Sequence, residues 1–204
     1  MKLNKPIIFD FSIFIISMIA FIINFMVFKS IIGIFYFTIY GNLLCIIYYF
    51  ISLVYDLKNK PNVFLKYKGM ILTFLLSTFL IYNLYLVPFG QMNDYNGHFI
   101  ASLLIHVICP LLVISDNVVN IGIKYKIKDI LIWSLGIFIY GIIVVTYQLT
   151  GGLFLNNSMY PYIIYDYIDY GIIGCILMNF IVYIFFVITS YIIIRINNSR
   201  HKED

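Results

Sequence analysis

The stretch Gly171–Ile194, GIIGCILMNFIVYIFFVITSYIII, runs for 24 residues without a charged side chain. A helix needs about 20 predominantly apolar residues to cross the hydrocarbon of a bilayer, so this segment alone places the chain in a membrane. The rest of the sequence agrees. Of 204 residues, 63% are hydrophobic and 11% charged, against about 45–50% and about 25% in soluble domains. Such a chain has too little polar surface to cover itself in water. That excludes a soluble enzyme domain, a disulfide-stapled secreted module and a disordered segment, which has the opposite composition.

Apolar runs bounded by charged or turn residues predict six spanning helices, at about 7–28, 31–53, 69–88, 98–115, 129–149 and 171–194. The fold class expected is an all-α, six-transmembrane-helix bundle, a single membrane domain covering 1–204. The first span follows Lys2 and Lys5 as a signal peptide would, but its apolar run is too long and no small-residue cleavage pattern follows. Basic residues orient the bundle. Lys2, Lys5, Lys58, Lys60, Lys66, Lys68, Lys124, Lys126, Lys128, Arg195, Arg200 and Lys202 fall at one set of span ends, and Lys29 alone at the other. Both termini are therefore expected in the cytoplasm. The net charge of +4 reflects this orienting pattern and implies no nucleic-acid partner. The opposite face collects Asp94, Asp166, Asp169 and the tyrosine-rich segment from Met159 to Tyr170, where Pro161 breaks any helix. A short lid or re-entrant patch is expected there.

Polar side chains at membrane depth are costly, and so their positions carry information. One histidine, His106, lies well inside a span, with His98 at the mouth of the same helix. Counting from the span ends at about 1.5 Å per residue puts Thr38 about 10 Å down the second helix, and His106 and Asn179 about 12 Å down the fourth and sixth. Asn24, Asn83, Tyr147 and Gln148 also lie toward that end, making the outer half the expected polar half. Apart from Asp10, the spans are read as nearly free of charge.

Thr38 and Asn42 share a helix face at i and i+4, and Ser102, His106 and Cys109 form a stripe at i, i+4 and i+7 above a kink at Pro110. A hydroxyl facing an imidazole suits nucleophilic acyl transfer: Thr38 Oγ1 attacks an acyl carbon and His106 takes its proton. Asn42 or Asn179 then orients the ring or donates to the developing oxyanion. The competing structural readings are a threonine bonded back to its own helix and a histidine, or Asn179, serving as an interhelical tie. Cys45, Cys109 and Cys175 read first as small apolar residues, with Cys109 the alternative nucleophile. No cofactor and no metal are called for.

Three patches carry a resemblance: Phe37-Thr38-Ile39-Tyr40-Gly41-Asn42-Leu43-Leu44; Leu104-Ile105-His106-Val107-Ile108-Cys109-Pro110-Leu111-Leu112 with Asp116; and Tyr160-Pro161-Tyr162 ahead of Gly171 and Asn179. In order and helix number they resemble the six-pass androgen-induced protein family, which includes the androgen-dependent TFPI-regulating protein, and its bacterial relatives. The resemblance implies an intramembrane threonine hydrolase of fatty acid esters of hydroxy fatty acids, with Thr38 and His106 as the pair. The histidine-to-proline spacing matches the bacterial relatives, implying a bacterial cytoplasmic membrane. Ile163-Ile164-Tyr165-Asp166 stand where the family repeats tyrosine and proline.

The function expected is thus a lipid-ester hydrolase or acyltransferase acting on a fatty acyl ester that enters from the outer leaflet, with Ser102, Asn42, Asn179 and Cys109 in support. Rival expectations are a small-molecule transporter, which calls for charge at depth or broken helices, and a non-catalytic membrane scaffold. A haem protein needs two facing histidines, whereas His98 and His106 share one helix.

Overall fold

A computed structural model describes residues 5–28, 33, 36–88, 99–120, 123–154, 158 and 160–201. The described residues are helical with no strand: α1 Lys5–Phe28, α2 Phe37–Leu57, α3 Lys68–Ile81, α4 Phe99–Leu103, α5 Cys109–Val119, α6 Asp129–Leu149 and α7 Tyr167–Arg200. Turns of π-helix, Tyr82–Leu86 and Leu104–Ile108, extend α3 and join α4 to α5. Six of the resulting segments are long and apolar enough to cross a membrane: Ile7–Val27, Phe37–Leu57, Leu65–Leu86, Phe99–Val119, Asp129–Leu149 and Tyr167–Arg200. This is the composition of a multi-pass membrane protein. Ile19, Ile139, Ile173 and Ile188 point outward from their helices and are exposed, as residues facing lipid are.

Side-chain contacts fix the helix directions. Tyr49 of α2 meets Asp116 of α5 and Asn42 meets Ile105, so α2 runs alongside α4–α5. Lys68 at the start of α3 meets Asp116, while Tyr82 at its far end stacks on His106, so α3 runs against them. At the Lys68 end, Gly69 admits the Trp133 ring so closely that an added Cβ would overlap it. At the Thr38 end, Phe37 sits in an aromatic box with Phe74, Tyr140 and Phe186 at 5.3–5.4 Å.

One helix start needs correction. The helix of the second span starts at Phe37, after an extended Tyr36 whose N–H donates to the Gly33 carbonyl at 3.1 Å. Thr38 therefore lies in the first turn rather than about two turns in, because apolar composition does not mark where the helix begins. The sixth span begins as expected: a short helical turn from Tyr167, capped by the Asp166 carboxylate, ends at Gly171, whose non-helical φ of 65° few other residues adopt, and the long spanning helix follows it. His98, Lys2, Lys29, Lys202 and Asp94 lie outside the described residues.

The spans are also less free of charge than expected. Lys68 Nζ lies 2.7 Å from Asp116 Oδ2, with side-chain exposures of 7% and 1%. Asp116 further accepts from Tyr49 OH at 2.8 Å and Asn120 Nδ2 at 2.7 Å, and Lys68 Nζ donates to the Asn120 carbonyl at 3.0 Å. The strongest polar cluster therefore sits at the opposite end from Thr38. Sequence counting grouped Lys68 with the loop lysines and took Asp116 for the end of a span, since pairing across three helices leaves no mark on linear spacing.

Removing one member strands a buried charge, which costs about 3–5 kcal/mol, whereas replacing both with apolar residues is far milder. Asp116→Ala should therefore lower the thermal unfolding temperature in detergent much more than the double variant Lys68→Met/Asp116→Leu does.

Candidate functional site

The site begins with a carbonyl that its own helix cannot satisfy. In the turn Leu104–Ile108, the Cys109 N–H donates to the Leu104 carbonyl, five residues back. The next residue, Pro110, has no N–H to give. The Ile105 carbonyl is thus left without a helical donor, at a depth where an unpaired backbone group costs several kcal/mol. Asn42 of α2 supplies the hydrogen: its Nδ2 donates to Ile105 O at 3.4 Å and to Thr38 O at 2.8 Å. Asn24 of α1 makes the matching tie one turn away, to Ala101 O at 3.0 Å and Ala20 O at 2.8 Å. Two asparagines thereby hold the His106 helix against α1 and α2.

These ties place Thr38 and His106 in one layer. The Thr38 and Ile105 carbonyls converge on a single amide nitrogen from two parallel helices. Thr38, Asn42, Cys45 and Tyr49 follow one stripe of α2 at helical spacing, and the last three are 0% exposed. Thr38 heads this inward stripe and is half-buried. The carbonyls to which a helical threonine bonds back are those of residues 34 and 35, outside the described residues. Among the described residues none hydrogen-bonds the Thr38 hydroxyl.

His106 is buried and held from two directions. Its ring stacks on Tyr82, centroids 4.0 Å apart and planes 12° from parallel. Its Nδ1 lies 2.9 Å from the Ser102 carbonyl oxygen and 3.2 Å from Ser102 Oγ. A carbonyl can only accept, so Nδ1 carries a hydrogen and, in the neutral ring, Nε2 carries the lone pair. Ser102 Oγ in turn donates to Tyr82 OH at 3.1 Å. No described residue hydrogen-bonds Nε2. Chemically, the ring is fixed by a backbone carbonyl in the way a carboxylate fixes the histidine of a hydrolase triad, and Nε2 is the nitrogen able to accept a proton.

The other expected site residues divide. Ser102 belongs to the site, as the partner of the ring. Asn42 has spent both amide hydrogens on carbonyls, so it holds the helices together and does not donate to an oxyanion; its Oδ1 is buried and without a partner. Asn179 lies elsewhere. Its Nδ2 donates to Phe138 O at 3.3 Å, its Oδ1 accepts from Tyr165 OH at 3.0 Å, and it lies so close to Gly141 that a Cβ there would be 2.2 Å away. It ties α7 to α6. Cys109 is buried and packs in a cluster with Ala20, Ile39 and Ile105.

Two residues escaped the sequence reading. Tyr82 was one of 19 tyrosines, with no spacing that pointed at a histidine on another helix. Thr78, one turn before it, is 4% exposed with its hydroxyl unpaired. Beside Thr38, the segment after α6 folds back over the bundle. The Tyr162 ring packs edge-on against Tyr36 at 5.8 Å, Pro161 is buried, and Tyr165 is 1% exposed.

Asn42→Leu should destabilise the fold by about 1–3 kcal/mol through the unpaired Ile105 carbonyl. The loss should shrink in a Pro110→Ala background, where residue 110 regains an N–H; a double-mutant cycle on thermal unfolding measures this coupling. Nitrogen NMR of histidine-labelled protein should find Nδ1 of neutral His106 protonated and Nε2 bare.

The chain matches no protein-family model, no curated protein and no solved structure.

Proposed function

We propose that the chain is an intramembrane lipid-ester hydrolase or acyltransferase, with His106 as general base and Thr38 as nucleophile. The observation that carries this reading is the bond from Nδ1 to the Ser102 carbonyl: it leaves the Nε2 lone pair as the reactive nitrogen, in the layer where the half-buried Thr38 hydroxyl enters the bundle. In the first step Nε2 accepts the Thr38 proton as Oγ1 bonds to the ester carbon. The tetrahedral intermediate then collapses, the C–O bond to the alcohol breaks, and the imidazolium returns the proton to the departing alkoxide. An acyl-threonine remains, to be released to water or to another alcohol.

The excess of lysine and arginine at the Lys68 end supports both termini in the cytoplasm, with the Thr38 end facing the outer leaflet of a bacterial cytoplasmic membrane. The apolar outward faces and the tyrosines of the 160–165 segment suit a substrate with long acyl chains that arrives through lipid. The resemblance of the Thr38, His106 and Tyr160 patches to the androgen-induced protein family supports a fatty acyl ester as that substrate.

A transporter reading draws on a different observation, the Lys68–Asp116 pair at depth. Asp116 is fully engaged by Lys68, Tyr49 and Asn120, and such a pair suits a fixed tie better than a site that loads and releases an ion. Solute flux into liposomes that persists in His106→Ala protein would favour the transporter.

Removing a positioned general base typically costs about 10²–10⁴-fold in rate. Turnover of a fluorogenic long-chain acyl ester by detergent-purified protein should fall by at least that factor in His106→Ala, vanish in Thr38→Ala and survive in Cys109→Ala. Retention in both Thr38→Ala and His106→Ala, with loss in Cys109→Ala, would transfer the nucleophile to the cysteine.

A further inference from the structure

Three buried polar atoms on α2 and α3 lack partners: Asn42 Oδ1, on a residue 0% exposed, Thr78 Oγ1, on a residue 4% exposed, and Ser77 Oγ, on a residue 0% exposed; of the two on α3, Thr78 shares the face of Tyr82. The register brings Asn42 and Thr78 to one layer. Gly41 faces Phe74 and Leu75 across the antiparallel α2–α3 contact, 3.9 Å from where its Cβ would be, which sets Thr78 opposite Thr38. The Asn42 amide reaches back up its helix to the Thr38 carbonyl. Ile71, Leu75, Thr78 and Tyr82 fall on one face of α3 at helical spacing. Leu75 packs in a cluster with Cys45 and Val113, while Tyr82 carries the His106 ring. Thr78 thus lies between the closed core and the base.

One atom is purely an acceptor and the other is a hydroxyl that can give or take a hydrogen. Buried groups left in this state are ordinarily satisfied by an internal water, which needs two or more polar partners. We propose that Asn42 Oδ1 and Thr78 Oγ1 hold a water molecule beside His106, and that this water is the acyl acceptor. The inference rests on the acyl-transfer reading above and narrows it to a hydrolase. The water donates one hydrogen to Asn42 Oδ1 and accepts from Thr78. Its second hydrogen passes to His106 Nε2 as its oxygen bonds to the acyl carbon of the Thr38 ester. The intermediate collapses with cleavage of the bond to Thr38 Oγ1, which recovers the proton from Nε2, and the free carboxylic acid leaves. Thr78 is then a catalytic residue for deacylation and has no part in acylation.

Two measurements on full-length protein in detergent test this. The first is thermal unfolding of the wild type, Thr78→Val and Thr78→Ser. If the hydroxyl holds water, Thr78→Val melts several degrees lower and Thr78→Ser stays near the wild type; if the hydroxyl is merely an unpaired burden, Thr78→Val melts higher and the water site is overturned. The second is ester turnover with methanol as a competing acceptor. Thr78→Val should keep its acylation burst, lose steady-state hydrolysis by at least tenfold and raise the ratio of methyl ester to free acid by a similar factor. An unchanged ratio, or a burst lost together with hydrolysis, overturns the assignment of the water as acceptor. Absence of turnover in the wild type overturns the lipid-ester reading and the water's chemical role together, while the melting comparison still decides whether the water is held.

Discussion

A proline one turn beyond a histidine sets the terms for this structure. Pro110 has no hydrogen to return to its own helix, the turn before it is wound as π-helix, and the Ile105 carbonyl is left for another segment to satisfy. In water such a group would be solvated at little cost. Inside hydrocarbon it must find a protein donor, and the donor is Asn42. One backbone bond missing from the His106 helix thus draws in α2, and with it Thr38. The same logic runs through the rest of the bundle: Asn24 on Ala101, Asn179 on Phe138 and Asn197 on Ile123 each carry a side-chain amide to a carbonyl of another segment.

The two ends of the bundle use polar groups differently. At the Lys68 end the one ion pair is closed: Asp116 is surrounded by Lys68, Tyr49 and Asn120, and the cluster ties α2, α3 and α5. Unpartnered buried atoms occur at both ends, among them Asn117 Oδ1 and Tyr125 OH near Asp116, and Asn42 Oδ1 and Thr78 Oγ1 toward Thr38. What sets the Thr38 end apart is His106, an imidazole whose ring is oriented by the Ser102 carbonyl and Tyr82 while no described residue hydrogen-bonds its Nε2.

Much of the fold is legible in the sequence because hydrocarbon imposes one dominant rule. The run from Gly171 to Ile194, and five others like it, mark spanning helices, and the fifth span falls at Asp129–Leu149 as expected. Helix starts are less legible. Extended Tyr36 ahead of Phe37, and the short capped turn Tyr167–Tyr170 ahead of the break at Gly171, depend on local backbone and capping geometry, which apolar composition does not report. Within the site, the Ser102 and His106 pair was visible as i and i+4 spacing. Tyr82, Thr78 and the Lys68–Asp116 tie were not, since each is defined by contact between helices. Asn179 shows the limit of counting residues along a span: depth alone does not say which helix a side chain meets, and Asn179 bonds Phe138 and Tyr165 beside Gly141.

The proposed chemistry needs the Thr38 hydroxyl to be made nucleophilic by His106 across the contact between α2 and the turn Leu104–Ile108. It is tested most directly by treating purified protein with a long-chain alkyl fluorophosphonate and locating the adduct by peptide mass spectrometry. The account predicts a single adduct on Thr38, strongly reduced in His106→Ala. An adduct on Cys109 or another residue, or labelling undiminished in Thr38→Ala, would contradict it.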